Sequence, residues 1–481
     1  MTRTQQILSL LREYESPNVL AIAPDLSAPV VWERAAGVHV WDAAGKKYLD
    51  LTAAFGVAAA GHANPRVVAA GRRQMGALLH AMGDVYPHAR KAELARELSR
   101  ITFERWTASR PKSARRSGKT IFANSGFEAV EAALKTAILA TGRRWIVAFT
   151  GAYHGLGYGA LNVTHREFFR GPFRSQLGGF SSVAPFPKSD ADLAAVEKRV
   201  RKLFAANPFG AILAEPVQGR GGVNVPPAGF LPLLRKLCDE VGALLILDEI
   251  YTGFGRTGKW FACEHSATVP DVICLGKALT GGFPLSACVG RADLMDAAWP
   301  RSTGEAIHTS TYLGHPVGCA MALAQIQEIA ERRLPERAGA LGEFFLRELR
   351  AAIPASKYQI EIRGLGLMTG VEMRLPGGPP RLDTAPVQWS DSLAPRSGER
   401  VRERGSFSRS GAVSKRVPSG APATAAALRV VGEMLRAGFI VLPEGEASNI
   451  ISFTPPLTVT GSQLASAARA LGGAVADLPA P

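Results

Sequence analysis

The centre of the chain contains short, strongly apolar segments that alternate with helical patterns. WIVAFT (145–150), ALLILDE (243–249) and VICLG (272–276) are apolar almost throughout, without the alternation of a strand that faces water on one side. Such segments are typical of strands buried on both faces of a parallel sheet. AGFLPLLRKLCDEVG (228–242), which precedes ALLILDE, has helical spacing of its apolar residues. This alternation predicts an α/β fold with a mostly parallel sheet.

The two ends of the chain follow other patterns. GVHVWDAAGKKYLDL (37–51) predicts a β-hairpin with Gly45 near its turn. From about Ala320, the helical pattern MALAQIQEIAERRL begins a second unit that continues to the C terminus. Residues 376–422 are rich in Pro, Ser, Gly and Arg, with few large apolar residues. Because such a composition buries too little surface to order itself, it predicts a disordered insertion in the second unit.

Composition excludes several classes of partner. The net charge of +15 is concentrated in RPKSARRSGK (110–119) and between Arg381 and Arg416. Neither cluster forms a recognisable nucleic-acid module, so solvated loops and no nucleic-acid partner are expected. No segment approaches 18 consecutive apolar residues, and no membrane span is predicted. The five cysteines form no CxxC pair, which indicates reduced thiols, no metal site and a cytoplasmic location.

Two nucleotide-binding motifs fit the sequence poorly. SGKT (117–120) resembles the end of a P-loop, but serine occupies position 113, where that motif needs glycine. GFGRTG (253–258) is a literal GxGxxG. It begins four residues beyond the acidic end of the preceding apolar segment, and no convincing amphipathic helix follows it. A nicotinamide-dependent dehydrogenase therefore stays a remote alternative.

Three polar groups stand where predicted strands end or helices begin. NSG (124–126) precedes a helical pattern, and free N–H groups at a helix N terminus suit a phosphate. Asp248 and Lys277 each end an apolar segment. Because ligands bind at the carboxyl ends of parallel strands, we expect the three to share one crevice. A phosphate seat, a carboxylate for a pyridinium and a desolvated amine are what pyridoxal phosphate (PLP) requires.

The most specific part of the chain, LILDEIYTGFGRTGKWFACEHSATVPDVICLGKALTGGFPLSA (245–287), resembles the signature of the class III PLP-dependent aminotransferases. That group includes acetylornithine, ornithine, 4-aminobutyrate and omega-amino-acid aminotransferases. The resemblance implies the fold of PLP-dependent transferases of fold type I. A large PLP-binding domain (66–330) would be joined by a small α+β domain built from both chain ends (1–65 and 331–481). It also implies a homodimer with shared active sites.

The resemblance implies roles for residues around the cofactor ring. Lys277 would bind PLP covalently and transfer the substrate proton, and Asp248 would keep the pyridine nitrogen protonated. Tyr153 and Ile250 would pack on the two faces of the ring. Glu215 would lie near the cofactor as a structural or gating acid.

The phosphate of PLP would lie against Ser125, Gly126 and the amide of Phe127, with Thr311 reaching it from the partner subunit. Phe127 stands where the family usually has a small or hydroxyl residue, so one side-chain contact is lost. Tyr251 replaces a glutamine that contacts the ring hydroxyl in many members.

Departures from the family pattern concern the substrate. Leu156 stands where members that bind an α-carboxylate often have arginine. Arg220 and Ser452 replace a glutamate and an arginine that face each other across the family's pocket. This interchange predicts that Arg220 binds a substrate carboxylate and that the usual glutamate–arginine switch is absent. The alternative is that Arg220 pairs with a neighbouring acid.

The expected reaction is transfer of an amino group from an amino acid or omega-amino donor to a keto acid, in a ping-pong mechanism through Lys277. Racemase, aminomutase and decarboxylase activities, which use the same lysine and aspartate in this class, stay open as alternatives.

Overall fold

A seven-stranded sheet lies at the centre of the protein. The computed structural model describes residues 1–19, 29–377 and 420–481. The strands of these residues are β1 (Trp32–Ala36), β2 (His39–Asp42), β3 (Lys47–Asp50), β4 (Gly118–Ala123), β5 (Trp145–Phe149), β6 (Ser181–Ala184), β7 (Phe209–Ala214), β8 (Leu244–Asp248), β9 (Val272–Leu275), β10 (Ser286–Arg291), β11 (Gln359–Leu365), β12 (Met368–Arg374), β13 (Phe439–Ile440), β14 (Leu442–Glu444) and β15 (Ile450–Phe453). The central sheet has the order β4-β10-β9-β8-β7-β5-β6.

Helical segments connect and cover the strands. In the same ranges they are α1 (Arg3–Tyr14), α2 (Ala53–Gly56), α3 (Pro65–Ala77), α4 (Ala89–Ser99), α5 (Arg105–Thr107), α6 (Gly126–Thr141), α7 (Tyr158–Val163), α8 (Glu167–Arg170), α9 (Leu193–Ala206), α10 (Phe230–Val241), α11 (Ala292–Ala298), α12 (Pro316–Glu331), α13 (Leu334–Ala352), α14 (Thr424–Arg436) and α15 (Gly461–Ala476). None of the helices in these ranges combines the length and the apolar character needed to cross a bilayer.

The central sheet is mostly parallel. Strands β9, β8, β7, β5 and β6 pair in parallel, whereas β10 is antiparallel to both of its neighbours. This confirms the predicted α/β class. The hairpin predicted at residues 37–51 is formed by β2 and β3, and Gly45, with φ of 83°, lies in its turn.

Both faces of the central sheet are packed, which explains why its strands are apolar throughout. Along β8, Leu245 and Leu247 belong to one cluster of buried residues, together with residues of α10. Leu244 and Ile246 point the other way and belong to a second cluster, together with residues of α6. Burial on alternate faces removes the polar positions that a half-exposed strand would have.

Two smaller sheets accompany the central sheet, and one of them contains residues from both ends of the chain. Strand β13 pairs in parallel with β3, so the first sheet, β1-β2-β3-β13, joins residues separated by most of the sequence. The second, β11-β12-β15-β14, is antiparallel throughout. The expected smaller part of the fold is thus confirmed, while the boundaries 1–65, 66–330 and 331–481 stay a prediction. Helix α12 begins at Pro316, slightly before the expected start near Ala320.

The predicted insertion, residues 376–422, lies mostly outside the described residues. The described residues on either side of positions 378–419 contact each other directly. Leu375 N donates to Ala421 O at 2.8 Å, and an isolated antiparallel bridge joins Arg374 and Pro422. The two chain segments that border positions 378–419 are therefore neighbours in space.

Candidate active site

The three predicted polar groups meet at one edge of the central sheet. Asp248 is the last residue of β8, and Lys277 follows β9 after a single residue, Gly276. Strands β8 and β9 are parallel neighbours, so both side chains arise at their carboxyl ends. Ser125, the N-cap of α6, lies beside them, because its carbonyl accepts a hydrogen bond from Ser286 Oγ of β10 at 2.6 Å. The three polar groups expected together from the strand ends therefore lie at the same edge of the sheet.

Lys277 has a strongly perturbed amine. Its Nζ lies 3.5 Å from the centroid of the Tyr251 ring, and the residue itself is mostly buried. Burial lowers the pKa of the amine from 10.5 to about 8, although the charges of Asp248 and Glu215 oppose this shift. Its backbone has φ of 40°, a left-handed conformation that is uncommon for residues other than glycine. An amine with this pKa is partly neutral near pH 8 and can act as a nucleophile.

Tyr251 forms a fixed platform under Lys277. Its hydroxyl oxygen lies 3.1 Å from Thr454 Oγ1, and burial raises the pKa of the phenol to about 12. A Cβ added at Gly56 would lie 2.5 Å from one edge of the ring, and one added at Gly219 would lie 2.4 Å from the opposite edge. Two glycine backbones therefore contact opposite edges of the Tyr251 ring. The sequence indicated only that Tyr251 replaces a glutamine, and did not predict this packing.

An unusual turn brings Gly56 to the Tyr251 ring. Residues 53–56, assigned to α2, have positive φ at four successive positions, with values of 47°, 49°, 60° and 82°. Three of these residues are not glycine, so the backbone is strained. The Asp50 carboxylate holds the turn, because it accepts hydrogen bonds from Thr52 N at 2.8 Å and from Ala54 N at 3.2 Å.

Asp248 is oriented by two neighbours. Its Oδ2 lies 2.8 Å from His154 Nδ1, and its Oδ1 accepts a hydrogen bond from Ile250 N at 3.1 Å. Both Asp248 and His154 are buried. A carboxylate has about four lone-pair positions, so Asp248 can still accept a further donor. His154 was not among the site residues predicted from the sequence, although it follows Tyr153 in the motif AYHG.

The N terminus of α6 is exposed to the same crevice. In its capping box, the Glu128 carboxylate accepts hydrogen bonds from Asn124 N and Ser125 N, both at 2.8 Å. The first N–H groups of a helix have no partner within the helix and attract an anion. A Cβ at Gly126 would lie 3.0 Å from Ile250 side-chain atoms, so glycine allows the helix to approach this side chain closely.

The side chain of Phe127 packs away from the start of α6. A Cβ at Gly155 or Gly157 would lie 2.3 or 2.5 Å from Phe127 atoms, so this residue packs on the loop that follows Tyr153. Its ring is 38% exposed. The arrangement agrees with a contribution from the Phe127 amide alone.

Glu215 connects two loops of the site. One carboxylate oxygen accepts a hydrogen bond from Tyr153 N at 3.0 Å, and the other accepts one from Gly219 N at 3.1 Å. Burial raises the pKa of this carboxyl to about 7. Tyr153 is in turn approached by Arg220, whose Cζ lies 5.5 Å from the ring centroid. These contacts agree with a structural position for Glu215.

Arg220 has an acidic neighbour. Its Nε lies 3.6 Å from Glu444 Oε2, and Gly445 N donates to the Arg220 carbonyl at 3.2 Å. A glutamate–arginine pair is therefore present, but at positions 220 and 444, so the expectation that the family's usual pair at positions 220 and 452 is absent stays a prediction. The sequence concealed it because the glutamate comes from β14, at a position outside the family's usual pair. Arg220 thus has the acidic neighbour that the alternative requires, and its role toward a substrate carboxylate stays a prediction.

Thr311 does not join the other site residues within one chain. It lies between α11 and α12 and is exposed. In the described residues it makes no hydrogen bond to any other predicted site residue. The remaining predicted residues gather around Lys277 and Asp248.

Nothing around GFGRTG supports a dinucleotide site. The motif lies in turns, and the segment that follows forms only a short 3₁₀ helix, Ala262–Ser266. Lys119 of SGKT lies within β4 and pairs with Asp296. Among the residues with described coordinates, no group of three or more His, Cys, Asp or Glu side chains is arranged to hold a metal ion.

Comparison with known proteins identifies similar chains. A family described as "Aminotransferase class-III" matches residues 22–475. An acetylornithine aminotransferase of Methanosarcina mazei is 41% identical over 350 residues, which are 73% of this chain and 80% of the relative. A putrescine aminotransferase of Pectobacterium atrosepticum is 39% identical over 384 residues, 77% of each chain. The solved structure of a PLP-bound amine transaminase from an uncultivated Pseudomonas species is also similar, with a TM-score of 0.76, 28% identity, and coverage of 96% and 98% of the two chains.

Proposed function

Because the chain belongs to the class III aminotransferases and is a PLP-dependent aminotransferase, we propose that Lys277 and Asp248 are its catalytic residues. The observation that carries this assignment is their position at the ends of adjacent strands, with a Lys277 amine whose pKa burial lowers to about 8. A lysine that charges less readily is suited to covalent bonding with a carbonyl.

The residues of the crevice fit PLP. The first turn of α6 would offer the Gly126 and Phe127 N–H groups to a phosphate, with the Ser125 hydroxyl beside them, while Ser125 N itself donates to Glu128. Asp248 retains acceptor capacity for a protonated ring nitrogen. Tyr153 and Ile250 supply the side chains for the two ring faces. When bound, PLP supplies an electron sink for the substrate carbon.

The chain's own groups would orient and move protons. Lys277 Nζ would take the proton from the substrate carbon that bears the amino group and deliver it to the cofactor carbon that receives the amino group, as a base with a pKa near the working pH can do. Asp248 holds negative charge near the ring nitrogen, and His154 fixes the direction of its carboxylate through Nδ1. Glu215 holds the Tyr153 and Gly219 loops in place.

An amino acid or omega-amino compound is the proposed donor, and a keto acid is the acceptor. Arg220 would bind the acceptor's carboxylate, because a guanidinium forms a two-pronged, charge-assisted bond to that group. Its loose contact with Glu444, at 3.6 Å, leaves the guanidinium available. The relatives named for acetylornithine and for putrescine support a donor of this kind.

A homodimer with shared sites is supported by an apolar surface near Thr311. Thr309 Oγ1 donates to Asp84 Oδ2 at 2.7 Å, which joins the Thr311 segment to the loop between α3 and α4. Large exposed apolar patches are typical of interfaces. The exposed apolar side chains of these two segments are Leu78, Leu79, Met82, Val85, Tyr86, Ile307 and Tyr312. In this dimer Thr311 would contact the PLP phosphate of the partner subunit.

A cytoplasmic location is proposed on the basis of the cysteines. All five are unpaired and buried. Burial also raises the pKa of thiols such as Cys238, to about 12, so they stay protonated and unreactive. Unpaired thiols are typical of proteins in a reducing compartment.

The test of the site is Lys277→Ala, with Lys119→Ala as the control lysine on the same sheet. Treatment of wild-type holoenzyme with borohydride should fix a pyridoxyl group on the peptide that contains Lys277, as read by mass spectrometry. Lys277→Ala should lose both this label and transamination, while Lys119→Ala keeps both. If Lys277→Ala retained wild-type turnover, the proton-transferring group would have to be another residue.

A further inference from the structure

Glu444 is a buried carboxylate with one oxygen left open. Its side chain is 2% exposed, and Oε1 has no hydrogen-bond partner among the described residues. Its other oxygen faces Arg220 Nε at 3.6 Å, beyond hydrogen-bond distance, and that Nε is also buried without a partner. A buried polar atom without a partner costs free energy, so the pair leaves a position for a donor at Glu444 Oε1 and a position for an acceptor at Arg220 Nε.

The site around Glu444 is the proposed active site. The charge of Glu444 acts on the Lys277 amine, and the charges of Arg220, Lys277 and Arg166 act on the Glu444 carboxyl. Burial nevertheless outweighs these cations and raises the pKa of Glu444 to about 7. The existing cations therefore compensate the buried carboxylate incompletely. A further cation placed at Oε1 would satisfy both the open hydrogen bond and the charge.

We infer that Glu444 is a specificity-determining residue that binds a second, distal cationic group of the amino donor, an ammonium or guanidinium, at its open carboxylate oxygen. The donor class is then a diamine or a basic amino acid. The inference rests on the proposed site at Lys277, because that lysine fixes where the reacting amino group lies.

The Arg220–Glu444 pair would then serve both half-reactions. A donor with a distal cation binds Glu444, and an acceptor with a distal carboxylate binds Arg220. Separation of the pair breaks no hydrogen bond, since its atoms are 3.6 Å apart, and the incoming charge of the substrate replaces the attraction that is lost. Two opposite charges on one wall let a single pocket accept chains that end in opposite charges.

The test compares donors that differ only at the distal end, using holoenzyme and a common keto acid. The donors are 1,5-diaminopentane, which carries the second ammonium, and pentylamine, which lacks it. In wild type, kcat/KM should favour the diamine by about 10²-fold, the range expected for a desolvated charge pair. Glu444→Gln should reduce this preference to less than about threefold, chiefly through KM for the diamine.

Two further variants make the result specific. Glu444→Asp keeps the charge and should retain at least part of the preference. Glu446→Gln removes an exposed carboxylate two residues away and should retain all of it. A wild-type enzyme that used both amines equally, or a Glu444→Gln variant that kept the preference, would overturn the inference. Failure of wild type to transaminate either amine, together with loss of the borohydride label at Lys277, would instead overturn the proposed site.

Discussion

At the scale of single residues, burial moves two opposite charges of the proposed active site toward neutrality. The pKa of Lys277 falls to about 8, and that of Glu444 rises to about 7. Each group spends part of its time uncharged at ordinary pH. The lysine gains nucleophilic character in this way. The glutamate is partly protonated, and an incoming cation would favour its ionised form.

The raised pKa of Glu444 predicts a pH-dependent stability. A carboxyl whose pKa is higher in the folded state contributes stability below its unfolded value of 4.5, and this contribution is lost as pH rises through about 7. Glu444→Gln removes the effect. As the pH rises from 4.5 to 8, the free energy of unfolding of Glu444→Gln should increase relative to that of wild type by up to about 3 kcal/mol. Denaturant unfolding of cofactor-free protein across this pH range is the measurement; parallel curves for the two proteins would contradict it.

Loss of the Arg220 guanidinium should affect acceptors according to their charge. Arg220→Ala should lower kcat/KM by about 10²-fold for keto acids, because a partly desolvated carboxylate loses its two-pronged partner. Aldehydes without a carboxylate should change much less. Arg347→Ala, an exposed arginine of α13, is the control. An equal loss for both kinds of acceptor would show that Arg220 supports the fold or the cofactor.

Several site residues could be predicted from the sequence and others could not. Lys277 and Asp248 stand at the ends of apolar segments, where the position alone indicates a ligand crevice. The positions of His154, Tyr251 and Glu444 in the site depend on contacts made across the fold. His154 contacts Asp248 although the two are 94 positions apart in the sequence, and no local sequence pattern predicts a contact over such a separation.

At the scale of elements, the strands were predictable and the turn at residues 53–56 was not. Apolar segments buried on both faces predict β5, β7, β8 and β9, because segments this apolar and only four to eight residues long are typical of strands, whereas a buried helix is longer. The left-handed turn consists of Ala, Ala, Phe and Gly, and the intrinsic preferences of the first three favour other conformations. Local hydrogen bonds to the Asp50 carboxylate and the tertiary contact of Gly56 with the Tyr251 ring hold this turn.

The contact between the flanks of residues 378–419 predicts that this segment is dispensable. Leu375 and Ala421 already hydrogen-bond, so two glycines can join Gly377 to Gly420 without moving β12 or α14. The shortened chain should bind PLP and be as stable as wild type, or more stable by about 1–2 kcal/mol from reduced loop entropy. Thermal unfolding and the borohydride label test this. A deletion protein that does not fold would show that the segment supplies needed packing.

At the scale of the whole molecule, shared sites predict that two inactive subunits restore activity together. Thr311→Asp should repel the phosphate in the partner's site, and Lys277→Ala inactivates its own. A hybrid dimer of the two has one site with both native residues, so a random mixture should recover about one quarter of wild-type activity.

The control mixture combines Lys277→Ala with Asp248→Asn, whose changes affect each subunit's own site and leave no native site in any hybrid. Recovery should be absent there. If Thr311→Asp also failed to restore activity with Lys277→Ala, Thr311 would not act across subunits.

The bracketed ring of Tyr251 has a dynamic consequence. Gly56 and Gly219 close on its two edges, and Lys277 Nζ covers one face at 3.5 Å. A half-turn of the ring about its Cβ–Cγ bond would sweep its edges through the space that Nζ occupies. Ring flips therefore require the lysine to move aside, and their rate, read from the line shapes of a labelled tyrosine in NMR spectra, measures how often Lys277 leaves its resting position.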